Sequence, residues 1–190
     1  MDAAVLAALA RWPDVPAVYG WLGLTARGAW LLRDERIGNA ALREFIGRNY
    51  ACDERGAWFF QNGPQRVFVR LEATPWIYRL GLAATLATHT GALPGEVREA
   101  AILDDGRFAL GTDLGCGLVD DRDAADFVHL LTDPEGLPLS EPGLERWLDG
   151  RDEVFLDPGR LGTGGTPLRV ARLRAADLPA RYGFVRAPAP

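Results

Sequence analysis

The sequence contains no lysine and a single serine, Ser140, among its 190 residues. All 21 basic residues are therefore arginines, a pattern typical of genome-wide nucleotide bias, and a single arginine carries little functional information. Ser140 precedes Glu141-Pro142 and is typical of a helix N-cap followed by proline in the first turn. Because the chain lacks a Gly-x-Ser-x-Gly turn, we exclude a serine nucleophile of that kind.

Cysteine and histidine are almost as scarce, with two of each: Cys52, Cys116, His89 and His129. They are far apart and match no zinc-ligand spacing, so we expect no metal site and no cofactor. A secreted disulfide scaffold would be shorter and richer in cysteine. Whether either cysteine is reactive stays open from the sequence alone.

Long hydrophobic runs are also missing. The longest apolar stretch near the middle, Leu80–Thr88, is nine residues, whereas about 18 are needed to span a bilayer. Met1–Ala10 is apolar but carries Asp2 where a signal peptide is basic. The net charge of −5 offers no general attraction for a phosphate backbone. We therefore expect a cytoplasmic protein that binds neither nucleic acid nor membrane.

What the chain does contain is a series of short helical and strand patterns. Asp2–Trp12 has the apolar spacing of a helix, Val18–Thr25 predicts a strand, and Asn39 stands as N-cap before a helix that starts at Ala40. Further strands are expected at Ala57–Gln61 and Val67–Leu71. The six tryptophans stand in apolar contexts, and we expect them in the core: Trp12, Trp21, Trp30, Trp58, Trp76 and Trp147.

The order of these patterns recurs along the chain. Three pairs of segments carry the repeat: Gly28–Trp30 with Gly106–Phe108, Ile37–Phe45 with Val119–Phe127, and Val67–Val69 with Val154–Leu156. We infer a tandem duplication whose second copy is longer in two loops, Gly111–Gly117 and Pro158–Gly165. The expected organisation is an N-terminal helix (1–16), a first α+β repeat (17–90) and a second α+β repeat (91–190). Each repeat is expected to be an antiparallel half-barrel with one helix.

Several motifs of the first repeat are familiar as a set: Gly28-x-Trp30, Asp53 with Gly56, Trp58-Phe59-Phe60, Asn62–Val67 and Leu71-Glu72-x-Thr74-Pro75-Trp76. In these motifs the chain resembles an uncharacterised proteobacterial family of unknown function. That family is similar in layout to another bacterial family of unknown function, built from α/β repeats and discussed only as a signalling module. The resemblance implies a repeat-built α+β fold, and it brings no catalytic residues with it.

Acidic residues of the second repeat offer one catalytic alternative. Asp104, Asp105, Asp113 and Asp121 would hold a divalent metal for hydrolysis if they converged. Each also fits a structural role in a hairpin turn or at a helix N-terminus. Whether these carboxylates converge is the observation that separates the two interpretations, and whether the protein is an enzyme stays open until then.

The connection between the aromatic strands of the first repeat is the preferred ligand-binding candidate. It concentrates polar side chains in a tight turn: Gln61, Asn62, Gln65 and Arg66. A turn needs Gly63 and Pro64 but not these amides and this arginine, although amides also cap loop backbone. We therefore expect a non-catalytic binding or regulatory module of the signalling type, which recognises a protein or a small ligand between its two repeats. The partner and the oligomeric state are beyond the sequence.

Overall fold

The computed structural model describes residues 1–190, which divide into two compact units. Unit 1 consists of Met1–Pro75 with Pro179–Pro190, and unit 2 of Trp76–Leu178. The expected fold class is confirmed, because an N-terminal helix precedes two curled, mainly antiparallel sheets. None of the helices has the length and apolar character needed to cross a membrane.

Unit 1 is a six-stranded sheet with two helices, α1 (Ala3–Arg11) and α2 (Ala40–Arg48). Its strands are β1 (Val18–Leu24), β2 (Trp30–Leu32), β3 (Glu35–Arg36), β4 (Tyr50–Cys52), β5 (Trp58–Asn62) and β6 (Gln65–Leu71). Their order is β3-β2-β1-β6-β5-β4, and the central pair β1–β6 is the one parallel pair. The side chain of Asn39 accepts the Leu42 N–H and starts α2 as expected.

Unit 2 is an eight-stranded sheet in the order β12-β13-β14-β9-β10-β11-β7-β8. The strands are β7 (Trp76–Leu80), β8 (Leu86–Thr88), β9 (Val97–Leu103), β10 (Phe108–Thr112), β11 (Gly115–Val119), β12 (Leu131–Thr132), β13 (Phe155–Leu156) and β14 (Leu168–Leu173). The helices are α3 (Ala124–Val128) and α4 (Glu141–Leu148), and α5 (Leu178–Tyr182) begins at the last residue of unit 2 and continues into unit 1. Short 3-10 helices span Leu82–Ala84, Asp121–Asp123, Pro158–Leu161 and Ala175–Asp177.

The two sheets share one topology. Read from β3 to β4, the strands of unit 1 have the same sequence order as the strands of unit 2 read from β11 to β12. Both have a parallel pair at the centre, β1 with β6 and β9 with β14. The hairpin β7–β8 adds to unit 2 because β7 pairs with β11, so the compact units divide after Pro75. Unit 2 also has α4 in addition to the one expected helix.

One segment of the expected repeat alignment is wrong. The triplet Val67–Val69 lies in β6, whose counterpart is β14, whereas Val154–Leu156 lies beside or within β13. Both segments are short apolar strands that follow a turn, so their sequence patterns look alike. Pairing decides the matter, since only β14 runs parallel to the first strand of its sheet as β6 does.

Aromatic side chains form most of each core. In unit 1, Trp30 and Trp58 pack on either side of Tyr50. In unit 2, Phe108 packs against Phe127 and Trp147, and these three are buried. The expectation that all six tryptophans are buried is wrong for two of them, because Trp12 is 50% exposed and Trp21 is 49% exposed.

The C-terminal segment completes unit 1 by adding to the strand ends. The Val185 N–H donates to Gly56 O at 2.9 Å, and the Leu71 N–H donates to Arg186 O at 2.8 Å. Gly56 has φ +79°, and a Cβ built there would lie 1.9 Å from Gly183 O. Glycine is therefore required at this position both by its backbone conformation and by the close approach of the tail.

We predict that Gly56→Ala releases the C-terminal segment from unit 1. Gly106→Ala is the matched control, because Gly106 has φ +82° in a similar turn but a Cβ there meets nothing within 4 Å. The control isolates the cost of the left-handed conformation, about 1–2 kcal/mol. Urea unfolding should show a larger loss for Gly56→Ala, and limited proteolysis should cut its tail sooner. Equal losses in the two variants would contradict the packing argument.

Candidate functional site

The β5–β6 hairpin separates the four expected ligand-binding residues onto opposite faces of the sheet. Asn62 pairs with Gln65 on one face, and Gln61 pairs with Arg66 on the other, as the two-residue period of a strand requires. Gln61 is buried, and its side-chain amide donates to Gly63 O at 2.9 Å across the turn. The guanidinium of Arg66 stacks over Phe59 with 4.8 Å to the ring centroid. The side chains of Gln61 and Arg66 therefore make their contacts within the hairpin itself.

Asn62 and Gln65 line a pocket of about 350 Å³ inside unit 1. Gln65 is half-buried and donates from Nε2 to Pro16 O at 3.1 Å, while the side chain of Asn62 is exposed. The remaining lining is apolar. The sheet contributes Val18, Leu22, Leu32, Phe60 and Val67, and the segment through α2 contributes Ile37, Leu42 and Ile46. A mainly apolar cavity with a few polar groups is the common form of a small-molecule site, and this one is at the small end of the range.

A bulge in β1 places an exposed tryptophan in the pocket wall. Val18 pairs with Val67 and Leu22 pairs with Val69, so β1 advances by four residues where β6 advances by two. Gly20 lies inside this bulge with φ +75°, a conformation that favours glycine. The extra residues bring Trp21 to the same pocket that Leu22 lines, and Trp21 stays half exposed.

A strained turn holds an arginine over this tryptophan. Arg33 and Asp34 form the two-residue connection between β2 and β3, and both have positive φ, +50° and +68°. Such turns normally use Asn and Gly. The Arg33 N–H donates to Trp21 O at 2.7 Å, and the Arg33 guanidinium lies 4.0 Å from the Trp21 ring centroid. Asp34, the second residue of the turn, is held by an ion pair with Arg70.

Sequence reasoning missed most of this site. Trp21 was expected in the core, yet it lines the pocket at its exposed side together with Leu42, which is 38% exposed. One signal was present in the sequence: Gly20 interrupts the strand, and apolar residues stand at consecutive positions beside it, which breaks the two-residue alternation. Arg33 gave no signal, because single arginines in this chain are common.

The acidic residues of the catalytic alternative do not converge on one site. Asp104 accepts the Ala175 N–H at 2.8 Å, Asp105 pairs with Arg107 across its turn, and Asp113 accepts the N–H groups of Gly95 and Glu96. Asp121 is exposed in a 3-10 helix. No group of three His, Cys, Asp or Glu side chains is arranged to hold a metal ion. The carboxylates thus stabilise separate turns.

A buried ion pair lies close to these residues in sequence. Asp120 is fully buried, and its carboxylate accepts from Arg122 Nε at 2.8 Å and lies 3.6 Å from Arg79 Nε. Burial opposes ionisation, but the hydrogen bonds from Arg122 and the charges of both arginines outweigh it and lower the pKa of Asp120 to about 2. Arg79 also binds Asp123 at 2.6 Å, which ties β7 to the start of α3. The role of this ion-pair network is therefore structural.

Neither cysteine has the thiol that nucleophilic chemistry needs. Burial, with a smaller contribution from the charge of Glu99, raises the pKa of Cys116 to about 12. Burial followed by the charge of Asp53 raises the pKa of Cys52 as well. A reactive cysteine requires a lowered pKa, so the surroundings of both thiols favour the unreactive protonated form.

His89 follows β8 and has a strongly lowered pKa. It lies against Trp76 with 5.8 Å between ring centroids, and its Nδ1 accepts the Ile77 N–H at 3.3 Å. Burial lowers the pKa of His89 to about 3, so the folded protein holds the ring neutral over the physiological range. His89 is therefore a source of acid sensitivity in unit 2.

The fold and the site together define a repeat-built α+β protein with a small apolar pocket in unit 1. The family model DUF2944, described as "Protein of unknown function (DUF2946)", matches residues 1–189. The chain belongs to this family, which confirms the expected membership of an uncharacterised family. No curated protein matches the chain.

Two solved structures of DUF1285 family proteins are similar to the chain. The protein from Shewanella baltica OS155 is 19% identical with a TM-score of 0.44, over 57% of this chain and 90% of that one. The protein from Silicibacter pomeroyi DSS-3 is 17% identical with a TM-score of 0.49, over 77% of this chain and 100% of that one. At these levels of similarity we draw no argument about the site from either.

We predict that folding stability falls as the pH drops below about 6.5, because the unfolded chain protonates His89 and the folded protein does not. The stabilisation is complete above pH 6.5 and is lost progressively toward pH 3. Between pH 7 and pH 5 this loss is about 2 kcal/mol. Urea unfolding at both pH values measures it.

His89→Gln keeps an acceptor for the Ile77 N–H and should remove most of this difference. The same substitution at the exposed His129 is the matched control. If the two variants and the parent chain show the same dependence on pH, His89 is not its source.

Proposed function

We propose that this protein is a non-catalytic binding module and that unit 1 binds a small, mainly apolar ligand in the pocket beside α2. The observation that carries the proposal is the pocket itself: about 350 Å³, with two amide side chains in an otherwise apolar wall. The proposal includes a regulatory or signalling-type role, in which ligand binding alters the activity of the protein. A cytoplasmic setting is part of the proposal and rests on the low cysteine content.

The rim of the pocket supports a binding role. Three large apolar side chains, Trp21, Leu32 and Leu42, are 38–49% exposed and line the same cavity. Single exposed apolar residues are ordinary on protein surfaces, but several around one cavity indicate a place where a ligand is covered. A bound apolar ligand would remove part of this surface from water, which supplies the main driving force for binding.

The hydrolase alternative has less support from the same structure. Its acidic residues are occupied by backbone N–H groups and by arginine, as the contacts of Asp105 and Asp113 show. A metal-assisted reaction would need at least some of these carboxylates to face a common point. We therefore favour binding over catalysis.

Binding of a homologous series of neutral alcohols, from butanol to decanol, tests the proposal by calorimetry. We expect affinity to rise about fourfold for each added methylene, from about 0.8 kcal/mol of apolar burial, until the cavity is full. A neutral series separates filling of the cavity from any effect of ligand charge. If none of these alcohols binds, the proposal is overturned.

Leu42→Trp should shorten the longest chain that still gains affinity, because the larger ring occupies the rim of the pocket. Leu148→Trp is the matched control, since Leu148 is also a half-exposed helical leucine, at 51%, but lies at the end of α4. An equal change in both variants would place the binding elsewhere.

A further inference from the structure

The proposed pocket has a cation fixed at its rim. Arg33 follows Leu32, which lines the pocket, and its guanidinium covers Trp21, which also lines it. Asp34 beside it is already paired with Arg70. No carboxylate is within ion-pair distance of Arg33, and its side chain donates no hydrogen bond within the protein. Its N–H donors are therefore open to a ligand.

The backbone and Trp21 together orient the side chain of Arg33. The left-handed conformation of Arg33 and the hydrogen bond from its N–H to Trp21 O hold the start of the side chain beside the bulge of β1. Stacking on an aromatic face leaves the edge of a guanidinium free, and that edge binds carboxylate or phosphate through two parallel hydrogen bonds. Leu32, the neighbour of Arg33 in the chain, and Trp21, on which Arg33 stacks, both belong to the apolar wall of the pocket.

We propose that the ligand of this pocket is an anionic amphiphile, with its apolar chain in the cavity and its carboxylate or phosphate head on Arg33. This inference rests on the proposed function and adds the charge and the orientation of the ligand to it. Asn62 and Gln65 then line the cavity as neutral hydrogen-bonding groups beside the chain, and they do not supply the charge that selects the head.

Octanoate and 1-octanol are probes of equal chain length that differ in the head group. At pH 7.5 the carboxylate is ionised, and we expect octanoate to bind about tenfold more tightly than octanol, as a charge-assisted hydrogen bond to Arg33 implies. Octyl phosphate should share this preference if shape and charge, and not the carboxylate itself, are recognised. The preference should weaken as salt is raised, because the head stays near solvent.

Arg33→Gln should reduce the octanoate preference to about twofold or less without changing the affinity for octanol. Arg33→Lys keeps the charge and should retain part of the preference, which shows that loss in the first variant is not a folding defect. Arg36→Gln is the control, because Arg36 is an exposed arginine of the neighbouring strand β3. Melting temperatures of all variants are compared in the absence of ligand.

The outcomes separate the two proposals. If neither probe binds, the proposed function fails and this inference fails with it. If octanol binds as tightly as octanoate, the pocket stands but the anionic head is rejected. If octanoate is preferred equally in the parent chain and in Arg33→Gln, the head is held elsewhere and the role of Arg33 is overturned.

Discussion

The parallel pairing of the first and last strands of each repeat is the constraint on which the rest of the structure depends. Parallel neighbours cannot be joined by a tight turn, so the chain between β1 and β6 must leave the centre of the sheet and return to it. That crossover contains β2, β3, α2, β4 and β5, and it places α2 on one face of the sheet. The same path recurs between β9 and β14.

The pocket lies between α2 with the segment before it and the central strands of the sheet. With nine residues, α2 is about 14 Å long, whereas β1 and β6 have seven residues each and extend for about 23 Å. α2 is therefore shorter than the two strands of the central pair. Val18 and Val67, which pair with each other, line the pocket together with Trp21 from the bulge of β1.

The rim departs from ideal geometry in a way that costs stability. Arg33 and Asp34 are consecutive non-glycine residues in the left-handed region, which costs about 1–2 kcal/mol for Arg33 and less for Asp34, because aspartate adopts this conformation more readily. The stacking of Arg33 on Trp21 and the ion pair of Asp34 with Arg70 offset part of this cost, and exposed contacts of these kinds contribute about 1 kcal/mol or less. Strain that is retained at the edge of a cavity is typical of a site where function selects the side chain.

Sequence patterns predicted the local elements well and the site only in part. The N-caps at Asn39 and Ser140, the strand from Val18 and the repeat were readable because each depends on neighbouring residues. Asn62 and Gln65 were identified for their unusual polarity, but which of the two pairs, Asn62 with Gln65 or Gln61 with Arg66, lines the pocket depended on the strand face that packs against α2. Long-range pairing decides that face, as it decided that β14 and not β13 corresponds to β6.

The second repeat differs from the first at the position that corresponds to the apolar pocket of unit 1. Two residues, Gly63 and Pro64, join β5 to β6, whereas eleven residues, 157–167, join β13 to β14. This longer connection has Pro158 and Leu161 buried. Gly164 forms a parallel β-bridge with Glu96, the residue just before β9 begins. The start of β9 corresponds to the start of β1, which is the part of unit 1 that lines the pocket. The two repeats therefore differ at this position: a two-residue turn lies beside the apolar pocket of unit 1, and a longer connection with two buried residues stands at the corresponding place in unit 2.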